Sequence, residues 1–215
     1  MSEKKNDEEK KNLLFKIMEK TLQQAIEGIG KGIGRVASCK ELADEYLEKY
    51  NNDKKTAARK MANVQMAKCA TSGFLTNLGG LITLPIAVPA DLSTVWFIQL
   101  RMIGAIAAMA GLDLSKDHVK SLCYCCLVGV SFAEIAKRAG VELSKRSGYK
   151  LVGKISAPAL RKINQVIGIK IFTKFGEKGI INIGKTVPAL GGLVGGTFDF
   201  VSTATIANKA IKEFL

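Results

Sequence analysis

Residues 179–186 (GIINIGKT) satisfy the spacing of a phosphate-binding loop, two glycines separated by four residues and followed by Lys185 and Thr186. That chemistry needs a strand before the loop, small residues whose amides converge on the phosphate, and a helix opening at the lysine. Here Ile180, Ile181 and Ile183 are β-branched, and Pro188 removes a backbone donor near the required helix start, so no nucleotide is expected. Cys123, Cys125 and Cys126 crowd one short stretch, but a metal site wants a complementary ligand pair, and His118 is the one histidine in the chain. Free cysteine behaves as a small apolar side chain, so core packing is the expectation and no metal or cofactor is assigned. Gly28, Gly30, Gly32 and Gly34 miss the dinucleotide spacing because Ile33 stands where the third glycine belongs. No nucleophile–base pair or carboxylate pair is evident, and no catalytic residue is assigned.

Four polar positions stand out against apolar surroundings: Asp91, Gln99, Arg101 and Asp199. A buried charge is costly unless paired, so an Asp–Arg pair between helices is one expectation; simple helix capping by each aspartate is the other. Were the protein an enzyme with an unrecognised site, a pocket formed by Asp91, Arg101 and Asp199 would be the first place to look.

The usable charge signal lies elsewhere. Net charge is +13, and residues 145–185 hold ten basic side chains against one acid, Glu177. Lys150, Lys154, Arg161, Lys162, Lys170, Lys174, Lys178 and Lys185 are the candidate contacts for an anionic surface. Lys170, Lys174 and Lys178 recur every four residues beside an apolar line of Ile163, Ile167, Ile171 and Phe175. A helix with a cationic edge beside an oily one suits an anionic bilayer face, where each nearby lysine contributes on the order of 1 kcal/mol. No nucleic-acid reading motif accompanies it, so nucleic acid is not expected.

The elements that must position these residues are read as helices. The sequence predicts an all-α, compact multi-helix bundle containing two Gly/Pro-rich apolar hairpin segments. Residues 1–12 are charged and are expected as a solvated, disordered tail; residues 13–215 form one helical domain. Leu14, Ile17, Met18, Leu22, Ala25, Ile26 and Ile29 recur at helical spacing. Ser38 and Glu41 have the spacing of a capping box opening a helix to about Tyr50, and residues 54–81 read as a longer helix. Asp91 is placed to cap a nearly all-apolar helix over residues 92–110, and one helix is expected from Ser115 to Arg138. Further helices are expected over residues 144–156, 158–176 and 192–214.

Residues 69–90 and 186–198 carry no charge until Asp91 and Asp199 follow them. The first has the length of a lipid-spanning helix, but Gly79, Gly80, Pro85 and Pro89 interrupt it; Pro188, Gly191, Gly192, Gly195 and Gly196 punctuate the second. These blocks are expected to pack together in the core, their small residues permitting close backbone approach; the alternative is a membrane-inserting or pore-forming protein in which they cross the bilayer as hairpins. An odd cysteine count and a charged N-terminus point to a reducing, cytoplasmic setting.

The stretches GFLTNLGGLITLPIAVPADLSTVWFIQLRMIGAIA (residues 73–107), KINQVIGIKIFTKFGEKG (162–179) and GKTVPALGGLVGGTFDFVSTATIANKAIKEF (184–214) resemble the EcsC protein family. The likeness covers residues 57–215 and accounts for the phosphate-loop match as the family's own Gly-Lys, Pro, Gly-Gly segment. The resemblance implies a bacterial, helical protein associated with membranes and carries over no catalytic residue. Together these readings predict a non-enzymatic accessory protein, cytoplasmic and peripheral to the inner membrane. Its partners would be anionic phospholipid and an assembly such as an ABC transporter.

Overall fold

The structure is a computed structural model that describes residues 2–28, 36–70, 90–141, 155–175 and 193–215. The described residues form eight α-helices and no strand: α1 (Ser2–Glu27), α2 (Cys39–Lys49), α3 (Lys54–Ala70), α4 (Ala90–Met109), α5 (Asp117–Val128), α6 (Phe132–Arg138), α7 (Ala157–Phe175) and α8 (Leu193–Phe214). The all-α reading therefore holds.

α4 is the axis. Every residue from 95 to 107 is buried, because this helix is apolar nearly all round, Gln99 and Arg101 excepted, and a helix of that kind needs neighbours on every side. Going around it, α1, α2, α3, α8, α5 and α7 each pack on the next, and α7 closes the ring onto α1. α4 itself packs closely on all of these except α7, whose main contacts are with α1 and α5. The closeness of α2 to α4 depends on Gly104: a Cβ there would sit 2.5 Å from the sulfur of Cys39, which is fully buried. Cys123, Cys125 and Cys126 are free and buried, as their reading as core residues required, and Cys39 and Cys69 are free and buried as well.

One local expectation is met in detail, and a second cap appears beside it. The Ser38 side chain accepts the backbone N–H of Glu41 while the Glu41 carboxylate accepts that of Ser38, a complete capping box at the start of α2. Asp53 starts α3 in the same manner, its carboxylate accepting the N–H groups of Lys55 and Thr56.

Four expectations need correction. Residues 2–12 are not a disordered tail but the first turns of α1; opposite charges at Lys4/Glu8, Lys5/Glu9 and Asp7/Lys11 stand four apart, the spacing that supports a helix. The expected single helix from Ser115 to Arg138 is two helices bent by 99°. Gly129 takes φ +81°, and the N–H groups of Gly129 and Val130 close on the carbonyls of Cys126 and Cys125. Such left-handed closure stops a helix, and Ser131 then caps α6 by accepting the N–H of Glu134. Asp91 falls in the first turn of α4 rather than ahead of it. Gly195 and Gly196 are within the first turn of α8 rather than in a hairpin turn. Gly79, Gly80, Pro85, Pro89, Pro188, Gly191 and Gly192 lie outside the described residues, as do residues 144–154 and the 179–186 segment.

Candidate anionic-surface interface

α7 carries Arg161, Lys162, Lys170 and Lys174 and no acid. Its inward line is as expected: Ile163, Ile167 and Ile171 are fully buried. The cationic edge is not. A residue seven positions on returns to nearly the same face of a helix, so Lys174 falls beneath Ile167 and points inward. Its Nζ donates to the carbonyl of Leu127 at 2.7 Å, in the last turn of α5, where a cation is favoured by the helix dipole. Burial brings its pKa down from 10.5 to about 8. Lys174 is therefore an internal brace between α5 and α7 and no part of an exposed surface, and Lys170 is half-buried beside it. Lys150, Lys154, Lys178 and Lys185 lie outside the described residues.

The outward face of α7 is Arg161, Lys162, Gln165, Ile169 and Thr173, all exposed. Ile169 is 50% exposed, a large apolar side chain left in water among cations and neutral groups. α1, which packs along α7, exposes Leu13, Lys16 and Lys20. Two adjoining clefts open beside this face and share Arg161 and Asn164. One, of about 270 Å³, is lined by Glu19, Asp117, Lys120, Ser121, Tyr124 and their neighbours; the other, of about 570 Å³, runs from Phe15 to Ile169. In the first, the Ser121 hydroxyl lies 2.7 Å from Asn164 Oδ1 and 3.0 Å from the Asp117 carbonyl. One hydroxyl hydrogen serves one acceptor at a time, and both neighbours are oxygens, not a base that would activate a serine nucleophile. Burial raises the Glu19 carboxyl, with Lys120 and Lys16 acting against it. No group of three or more potential metal ligands occurs among the described residues.

The polar residues of α4 do not converge. Gln99 Nε2 donates to Thr203 Oγ1 at 3.1 Å and Ser202 Oγ at 3.3 Å, tying α4 to α8. Arg101, two residues on and so on the other side of the helix, donates from Nε to the Ala37 carbonyl at 2.6 Å. Burial lowers the Arg101 pKa, and Cys39, Glu45 and Glu41 on α2 partly offset that. Arg101 thus pins the approach to α2 and does not face Gln99 across a pocket; the side chains of Asp91 and Asp199 lie outside the described residues.

A second cationic element went unnoticed in the sequence because its charge is offset by neighbouring acids on α2. α3 bears Lys54, Lys55, Arg59, Lys60 and Lys68 with no acid, and the first four are exposed. Lys54 and Lys55 occupy the first turn, where the helix dipole disfavours cations by about 0.3–1 kcal/mol each. Counting charge helix by helix, rather than over long windows, would have found it.

No known protein family, no curated protein and no solved structure matches this chain. The resemblance to the EcsC family gains nothing from them and rests on the residues quoted above. Among the described residues no single helix is long and apolar enough to cross a membrane; the bent pair α5–α6 meets the length and composition test, and residues 121–127 of α5 are buried in the core.

Proposed function

We propose that the protein acts by binding, as an accessory that docks reversibly on an anionic phospholipid surface, peripheral to the inner membrane and beside a membrane assembly such as a transporter. The observation that carries this reading is the outward face of α7. There Arg161 and Lys162 stand about two turns from the half-exposed Ile169 on the outward side of a helix without acids. Cations near an acidic leaflet and an apolar side chain at the headgroup boundary add in the same direction.

Sedimentation with phosphatidylcholine vesicles, with and without phosphatidylserine, tests the reading. The protein should pellet with the anionic vesicles, less so as salt rises, and Arg161→Glu with Lys162→Glu should weaken binding on the order of tenfold or more. Equal recovery in the supernatant with both vesicle types disposes of it. Lys174 belongs outside the substitution series, because its loss damages the fold.

A further inference from the structure

We infer that the bundle carries two anionic-surface contacts on opposite sides, α3 and α7, and that it bridges two anionic membranes. The inference rests on the docking function proposed above and extends it to a second face.

The ring around α4 sets the geometry. In the order α1, α2, α3, α8, α5, α7, the helices α3 and α7 stand three places apart whichever way the ring is followed. They share no neighbour in that ring: α3 packs on α2, α4 and α8, and α7 on α1, α5 and α6. The two acid-free helices of the described residues that carry several cations are therefore back to back, and one flat surface cannot satisfy both.

α3 is suited to the same kind of surface as α7. Its inward face is Ala57, Ala58, Met61, Ala62, Gln65 and Cys69, all buried. What remains outward is Lys55, Arg59, Lys60, Asn63, Val64 and Ala67, about 18 Å of helix. No ion pair engages Lys54, Lys55, Arg59 or Lys60 among the described residues; Arg59 lies in the field of Asp53, whose carboxylate is occupied in capping the helix. Val64 is 41% exposed on this face, and Val201 is 62% exposed on α8, which packs along α3. Cations beside exposed aliphatic side chains, with no aromatic to stack on a base, fit a bilayer headgroup region better than a nucleic acid. Nothing in the folding of α3 calls for lysines at its positive end, whereas an anionic ligand does.

The test uses the full chain with phosphatidylcholine–phosphatidylserine vesicles, reading attachment by sedimentation and clustering by dynamic light scattering. Native protein should bind and cluster the vesicles, and salt should disperse them. Lys55→Glu/Arg59→Glu/Lys60→Glu should still sediment with vesicles through α7 but lose clustering at least about tenfold, since three cations together contribute on the order of a hundredfold to attachment. Arg161→Glu/Lys162→Glu should bind on the order of tenfold more weakly, its remaining attachment running through α3, and should likewise lose clustering; the combined variant should bind neither way. The milder Lys55→Gln/Arg59→Gln/Lys60→Gln gives a partial loss of clustering with circular dichroism unchanged, which separates loss of contact from loss of fold. Binding without clustering by the native protein overturns the second contact and leaves the docking function standing. Unchanged clustering by the α3 variant overturns it too, whether or not that variant has lost affinity for duplex DNA. Absence of binding by native protein removes the docking function itself, and this inference with it.

Discussion

α3 and α7 have nearly the same charge and no acids, yet they treat their cations differently. On α3 the four cations from 54 to 60 stand in water, and the one polar side chain turned fully inward is Gln65. On α7 the inward line itself holds Lys174, its pKa lowered by burial and its Nζ tied to the carbonyl of Leu127. A count of positive charge per helix is therefore not a count of surface charge. What decides is the angle each residue makes with the buried stripe, and seven residues of helix bring a lysine back under an isoleucine.

The largest effect that would test this contrast comes from two isoleucines two residues apart on α7. Ile167→Ala should cost about 2–5 kcal/mol in denaturant unfolding, because its site is closed on all sides. Ile169→Ala should stay within about 0.5 kcal/mol and show itself in vesicle binding instead. Equal stability losses would mean that α7 has no outward face.

Next is Lys174→Glu, which sets a carboxylate against a carbonyl in a half-buried site and should cost about 2–4 kcal/mol, whereas Lys162→Glu should be close to neutral in stability. The pH dependence follows from signs. Between pH 8 and 10.5 the folded chain has released the Lys174 proton while the unfolded chain still holds it, so this lysine makes stability rise with pH. The buried thiols act the other way. Burial pushes Cys39 up to about 12 and Cys123, Cys125 and Cys126 well up, so from pH 9 the unfolded chain releases protons that the folded chain keeps. Net stability should fall above pH 9, and fall more steeply in Lys174→Met. A shallower decline in that variant would show that the lysine is not held as described.

The separation of the two cationic helices depends on the close contacts of α4. Gly104→Ala adds a methyl against Cys39 Sγ. Overpacking of about 1–3 kcal/mol should outweigh the helix-propensity gain of about 1 kcal/mol. In a Cys39→Ala background the sign should reverse, a double-mutant cycle read by thermal unfolding.

The smallest effect concerns the inward side of α3. Gln65 is fully buried, and among the described residues neither its Nε2 nor its Oε1 has a hydrogen-bond partner. Gln65→Leu should stabilise by about 1 kcal/mol, since it removes unsatisfied polar atoms at nearly constant volume. Destabilisation would mean that the amide is satisfied.

Much of the local structure was legible in the residues. Ser38 and Glu41 announced their capping box, because both hydrogen bonds lie within four consecutive residues. The cysteines read as core because no second ligand set stood ready for a metal. Other features were hidden for identifiable reasons. Polarity of residues 2–12 was read as disorder, although charge spacing along that stretch supports a helix. Gly129 lies inside an unbroken periodic pattern, and only its left-handed backbone reveals the 99° turn. Arg101 and Gln99 were grouped by their shared polarity, while two residues of helix send them to α2 and α8. α3 escaped notice because the acids of α2, its neighbour in sequence, cancelled its charge in a long window.

The amino-acid sequence by itself determined an all-helical chain, the identity of its apolar axis, the caps at Ser38 and Asp53 and the excess of positive charge. All of these depend on interactions within a few residues or on composition. Only the tertiary structure decided that Lys174 turns inward, that Arg101 holds the approach to α2, and that α3 and α7 lie on opposite sides of α4. These depend on the order in which helices close around a common core, and contacts between segments distant in sequence set that order.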